Sequence, residues 1–324
     1  MRRRLRKGVA RVRRRALGPR HRAGAVILGY HRVAAPNSDP FGLCVRPERF
    51  REHLDVIRRV TEPVRLRSVP DALRAERTPR GHVAVVTFDD GYADVMWTGL
   101  PLLEEAAIPA TVFAISGALG SIPWWDRLAA SVRSLDPGIG GSIPIGDRTF
   151  RWRAGTSGDR LLDRLIDRIA PLSAESRDEI IDRIGPSGHS PAESGETRGA
   201  EESRLMTASE LRRLADSSLI DVGAHSSTHP LLTRVDPVRL RAETLGCRRS
   251  LETILERPVM HFAYPHGRQN RRVRRAVDSA GFEVACTSLQ DVVRRGDDPV
   301  ALPRIWPPNL PGPAFESWLR TWIG

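Results

Sequence analysis

Two adjacent carboxylates close an apolar run in VVTFDDGYAD, residues 85–94, and two imidazoles stand four residues apart in GAHSSTHP, residues 223–230. A carboxylate with His225 and His229 makes a two-histidine, one-carboxylate set. That set suits zinc and leaves a position for water, and iron or another divalent ion also fits it. Pro230 biases His229 away from helical geometry, so the pair reads as a strand-to-loop chelate. The helical HExxH arrangement is excluded because its Glu is absent. Neighbouring side chains on a strand point to opposite faces, so Asp89 and Asp90 are expected to do different jobs. One would bind the ion and the other would take a proton from the water that the ion activates.

These residues need elements that bring them together. Apolar runs at 24–30, 83–88, 110–115, 219–224, 261–264 and 283–287 read as strands, continuous rather than alternating, as parallel strands buried on both faces require. Helical patterns lie between them. Thr207 with Glu210 forms a capping box, Asp236 followed by Pro237 opens a helix, and Asn270 caps one that stops at Gly281. Leu240, Thr244, Cys247, Leu251 and Ile254 repeat at helical spacing and should pack inward. The expected fold is α/β, a barrel or a doubly wound sheet, whose active site lies at the carboxyl ends of the strands. His31, Asp89, Asp90, His225, His229, Pro265 and His266 all follow predicted strands directly.

The stretch from Trp124 to about Ile184 reads as a helical insertion, within an inserted region of about 121–204. Residues 185–204, rich in Gly, Ser, Pro and Glu, read as a flexible surface loop. Within the insertion, Trp124, Trp125 and Asp126 could stack on and clamp a sugar ring, or the tryptophans could anchor the insertion to the barrel. Tyr264 is a further residue expected to border the substrate.

The chain has 324 residues and a formal charge of +12, with 51 basic and 39 acidic residues. Residues 1–22 hold ten arginines and Lys7 and no acid, so the remaining 302 residues are nearly neutral. Leu5, Val9, Val12 and Ala16 give this tail a weak apolar stripe, as in helices that lie on anionic membranes; a solvated arm is the alternative reading. No motif for specific nucleic-acid recognition follows it. No export signal or membrane-spanning run is evident, and Cys44, Cys247 and Cys286 form no CxxC pair. The chain is therefore expected in the cytoplasm, or peripherally at the membrane.

TFDDGY, then HSSTH, then FAYPHG resembles the polysaccharide deacetylases, the NodB-like carbohydrate esterases. The resemblance runs from about Val83 to Thr287 and implies a distorted β/α barrel with a helical insertion, over residues 23–324. It also implies a metal-dependent hydrolase, usually zinc-dependent, that removes N-acetyl groups from N-acetylglucosamine-type sugars in a glycan or glycolipid precursor. Carried over, the pattern makes Asp89 the general base and Asp90, His225 and His229 the metal ligands, with Tyr264, Pro265 and His266 beside the substrate. Ala263 and His266 stand where the family usually has an arginine and an aromatic residue, and the usual C-terminal Leu-x-His is missing. The branch that includes poly-N-acetylglucosamine deacetylases, permuted relative to the others, uses a Tyr-His near the N-terminus as the acid. ILGYHRV resembles that element, which makes His31 the acid, and ALPRIW resembles a motif of the same branch, in which Arg304 would pair with Asp89. The alternative is a non-catalytic, metal-containing glycan-binding relative. Its support is the missing motif arginine, and intact Asp89 and His31 speak against it. Deleting residues 1–22 should leave acetate release within about twofold of the full chain; loss of all activity would place the function in the tail.

Overall fold

The computed structural model describes residues 24–74, 82–146, 148–153, 159–184 and 203–323. The basic tail and nearly all of the loop expected at 185–204 lie outside the described residues. Eleven strands are present among them: β1 (Ala25–Tyr30), β2 (Arg32–Val33), β3 (Cys44–Val45), β4 (Glu62–Pro63), β5 (Val83–Phe88), β6 (Ala110–Ala114), β7 (Gly140–Ile145), β8 (Arg148–Arg153), β9 (Ile220–Ala224), β10 (His261–Ala263) and β11 (Val284–Cys286). The main sheet runs β1-β5-β6-β9-β10-β11, all parallel, with β4 also paired to β5.

The continuous apolar runs follow from burial on both faces. Ala25, Ile27, Val83 and Val85 enter one apolar cluster together with Phe113, Ala263 and Cys286. Val26, Leu28, Tyr30, Ala84, Val86 and Phe88 enter another, shared with the surrounding helices. The two-residue period of a strand thus sends odd positions to the barrel interior and even positions outward. Asp89, directly after β5, continues the inward set.

Residues 302–305 close the ring between its two outer strands. Leu302 donates to Ala285 O and accepts from Thr287 N, both at 2.8 Å, beside β11. Ile305 donates to Ile27 O and accepts from Gly29 N, both at 2.9 Å, beside β1. Arg304 lies between these anchors, fully buried in the barrel.

Local signals held at the helix starts. Thr207 and Glu210 form the reciprocal capping box, and Asp236 and Asn270 accept from Arg239 N and Val273 N. The expected inward face is buried at Leu240, Cys247 and Leu251, but Leu255 is buried and Ile254 only half-buried. Leu255 stands four residues after Leu251 in the regular helix Cys247–Leu255, so it shares the inward face that the three-residue step gave to Ile254.

The insertion differs from the all-helical expectation. Between helices Trp124–Arg133 and Asp159–Ile169 stands the antiparallel hairpin β7–β8. Only Ile143 and Phe150 of its side chains are buried. Pro144 and the charges around them obscure a two-residue pattern this sparse. The insertion has its own apolar cluster, which includes Trp124, Trp125, Leu128, Leu165 and Ile181 and reaches the barrel at Tyr92 and Ile115.

Gly29 permits the closure. A Cβ there would lie 2.6 Å from the Trp306 ring. Gly29→Ala should cost about 1–3 kcal/mol through overpacking, measured by denaturant unfolding. A loss under about 0.5 kcal/mol would mean that the ring does not pack tightly on β1.

Candidate active site

Asp89 and Arg304 form a buried bidentate pair. Nη1 donates to Oδ1 and Nη2 to Oδ2, each at 2.7 Å, while Nε donates to Thr287 O at 3.0 Å and Nη1 also reaches Thr87 Oγ1 at 3.3 Å. Burial alone would raise the pKa of Asp89, but the adjacent guanidinium and its hydrogen bonds bring it down to about 2. Trp306 stacks below this pair, its ring 4.7 Å from the Arg304 guanidinium carbon and 5.1 Å from the His31 ring. His31 is neutral in this setting. Burial, followed by the charges of Arg304 and His225, outweighs Asp89 and lowers its pKa to about 4.

Asp90 faces the same centre. Strand alternation does not separate the two carboxylates, because the chain leaves the strand at Asp89 and turns through left-handed backbone, φ 69° at Asp90 and 81° at Gly91. His225 Nε2 lies 4.0 Å from Asp89 Oδ2 and 3.5 Å from Asp90 Oδ1, and His229 Nε2 lies 3.6 Å from Asp90 Oδ1. Their different partners, not opposite faces, distinguish the two. Burial and then the charge of Asp89 push the Asp90 pKa well above the usual carboxylate range.

The second ligand loop is tightly specified. His225 Nδ1 binds Ala263 O at 2.8 Å, which leaves Nε2 directed at Asp90. Ser226 Oγ accepts from His229 N at 3.0 Å. Buried Glu243 accepts from Ser227 N at 2.9 Å, Thr228 N at 2.8 Å and Thr228 Oγ1 at 2.6 Å. Of the six non-glycine residues with positive φ among the described residues, four belong to the site: Asp90, Ser226, His229 and His266. The other two, Ala107 and Glu256, cap helices. Left-handed backbone at such residues costs about 1–3 kcal/mol each and persists where the surroundings over-determine it.

A divalent cation fits this donor set. Ligand atoms of buried Asp90, His225 and His229 all lie within 4.8 Å of one another. Among the described residues no hydrogen bond reaches the Asp90 carboxylate, and the Nε2 atoms of His225 and His229 face it at 3.5 and 3.6 Å. Burial lowers the pKa of both histidines, which favours the neutral ligand form.

The substrate-side expectations divide. The His266 ring stands 4.6 Å from the His229 ring, and burial lowers its pKa to about 4. Trp125 is also 4.6 Å from His229, but it is buried, with Nε1 donating to Tyr92 Oη at 2.8 Å, and Tyr92 in turn donates to Asp126 at 2.8 Å. Trp125 and Asp126 therefore tie the insertion to the barrel. Tyr264 does not border the site: it is fully buried in the core and donates to Val300 O at 2.8 Å. A short strand sends its ring outward among the helices, which spacing from a motif could not disclose. Pro265 is buried as well.

The polysaccharide deacetylase family model matches residues 76–134 and 192–285. Over those residues the chain matches a polysaccharide deacetylase domain. The unmatched gap, residues 135–191, falls within the insertion. No curated protein matches the sequence. Among solved structures, the Streptococcus pyogenes deacetylase PplD in complex with acetate is 15% identical, with a TM-score of 0.59, over 93% of this chain and 98% of that one. IcaB from Ammonifex degensii is 20% identical, TM-score 0.59, over 93% and 97%. The deacetylase domain of BpsB from Bordetella bronchiseptica is 15% identical, TM-score 0.52, over 87% and 94%. At these identities the likeness is one of fold, that of the NodB-like barrel.

Sequence reasoning missed Trp306, Glu243 and Arg177. Trp306 lies in the quoted ALPRIW, but its contacts are long-range. Glu243 could have been found as a carboxylate beside the inward helix face at Thr244. Arg304→Ala should destabilise the protein by about 3–5 kcal/mol, because a buried carboxylate loses its partner. With its depressed pKa, Asp89 contributes stability that is present above about pH 4 and lost as pH falls towards about 2. In the variant that contribution should vanish near neutral pH, as read from unfolding free energies across pH. An unchanged profile would separate Arg304 from Asp89.

Proposed function

We propose that the chain is a metal-dependent carbohydrate N-deacetylase acting on an N-acetylglucosamine-type sugar of a glycan or glycolipid precursor. The strongest support is the clustering of Asp90, His225 and His229 beside an Asp89 held by Arg304, in a chain that matches a polysaccharide deacetylase domain.

Asp90, His225 and His229 would hold the ion. Bound there, a divalent ion such as zinc supplies Lewis acidity and lowers the pKa of coordinated water to about 7. Asp89 stays ionised at any working pH and is always free to accept a proton. Held at about 2, it is a weak base, so proton transfer to it depends on the acidity that a bound ion would give the water. Arg304 fixes both carboxylate oxygens and so sets the direction in which the proton is taken.

His31 would protonate the leaving amine nitrogen, since an amide nitrogen leaves poorly without a proton. Neutral in the resting site, it lies near Asp89 and would take over the proton that Asp89 has accepted from water, passing it to the leaving nitrogen so that the proton count closes. Trp306 holds the ring in place by stacking. A backbone N–H near His266 would donate to that oxygen. The products are acetate and a free amino sugar.

Acetate release from a panel of N-acetylated sugars, with zinc and with chelator, tests this reading; no metal-dependent release from any of them would favour a glycan-binding relative. Asp89→Asn should lower turnover by about 10²–10⁴-fold while still binding zinc. Asp90→Asn should lose both, and equal zinc loss in the two variants would refute the division of roles.

A further inference from the structure

Beside the metal-ligand cluster, between the loop that follows β6 and the insertion helices Trp124–Arg133 and Ala174–Ile184, lies a pocket of about 310 Å³. Its lining includes Trp124, Arg127, Arg177, Asp178, Thr228 and His229. Three buried nitrogens on that lining have no hydrogen-bond partner among the described residues: Trp124 Nε1, Arg177 Nε and His229 Nδ1. With His229 Nε2 as a ligand of the ion, Nδ1 of the neutral ring carries the hydrogen, so all three are then donors. A metal-binding histidine ordinarily gives that hydrogen to a carbonyl or carboxylate, as His225 does to Ala263 O. For His229 no such acceptor is present among the described residues.

The charge points the same way. Arg177 is 1% exposed, and no carboxylate among the described residues lies within ion-pair distance of it. Its Nη1 and Nη2 donate to the carbonyls of His229 at 3.3 Å and Thr228 at 2.8 Å, and it lies 5.0 Å over the Trp124 ring. The carboxylate on the lining, Asp178, is bound to Arg127 at 2.7 Å. A buried guanidinium and three unanswered donors cost several kcal/mol when they stay unpaired.

We propose that this pocket receives an oxyanion, a carboxylate or a phosphate, carried by the substrate next to its acetamide. The substrate class is then an acidic or phosphorylated N-acetylated sugar, and the insertion is the element that selects it. That the anion belongs to the substrate rests on the deacetylase reading; the anion site itself does not.

Because Arg177 also ties down the ligand loop, the test uses Trp124→Phe, which keeps an aromatic ring in place and removes the N–H. The full chain, loaded with zinc, is titrated calorimetrically with inorganic phosphate and with glucuronate. Saturable binding of either is expected, about tenfold weaker in Trp124→Phe, and the anion that binds identifies the phosphorylated or the acidic sugar. Saturation by neither, or equal binding in the variant, overturns the proposal. Binding without acetate release from any sugar would leave the anion site standing and remove the deacetylase reading, whereas acetate release without anion binding would do the reverse.

Discussion

The buried pair between Arg304 and Asp89 is the constraint on which the barrel's upper end depends. A carboxylate and a guanidinium removed from water cost several kcal/mol each, which only good geometry repays. Here all three guanidinium nitrogens are engaged: two by Asp89, the third by Thr287 O. That requires residues 302–305 to sit at one height between β1 and β11, and the paired backbone bonds on either side fix it. Trp306 follows at once and covers the guanidinium, which in turn requires a glycine at position 29.

The ligand cluster follows a second logic, in which strain is concentrated and restrained. Asp90, Ser226, His229 and His266 all adopt left-handed backbone. Glu243, buried on a neighbouring helix, holds the amides of the loop between the two histidines, and Arg177 holds its carbonyls from the other side. The insertion is thus part of the site's scaffold, since Arg177, Trp125 and Asp126 all come from it.

Much of this was legible in the sequence because it is local. β5 spans the run read as a strand, the caps at Thr207, Asp236 and Asn270 are those expected from residue type, and the HxxxH spacing placed both imidazoles at one centre. The pairing of Arg304 with Asp89 was legible only through resemblance, since 215 residues separate them. What failed depended on direction. Strand alternation was extended one residue too far at Asp90, where the backbone turns left-handed, and Tyr264 was placed at the substrate although its ring points into the core. The hairpin of the insertion was missed because two buried side chains carry too little pattern.

The closing segment has a consequence for the order in which the protein becomes itself during synthesis. Arg304 follows Asp89 by 215 residues, so strands β1 and β5 and the carboxylate after them leave the ribosome long before its partner does. Until it does, the nascent barrel is an open trough with an uncompensated carboxylate at its mouth, which water must solvate. The last stave then brings the counter-charge, the covering ring and the second edge of β1 in five residues. Closure, neutralisation and assembly of the site are therefore a single late event, and a chain halted before that segment holds every proposed metal ligand yet lacks the group that orients its base.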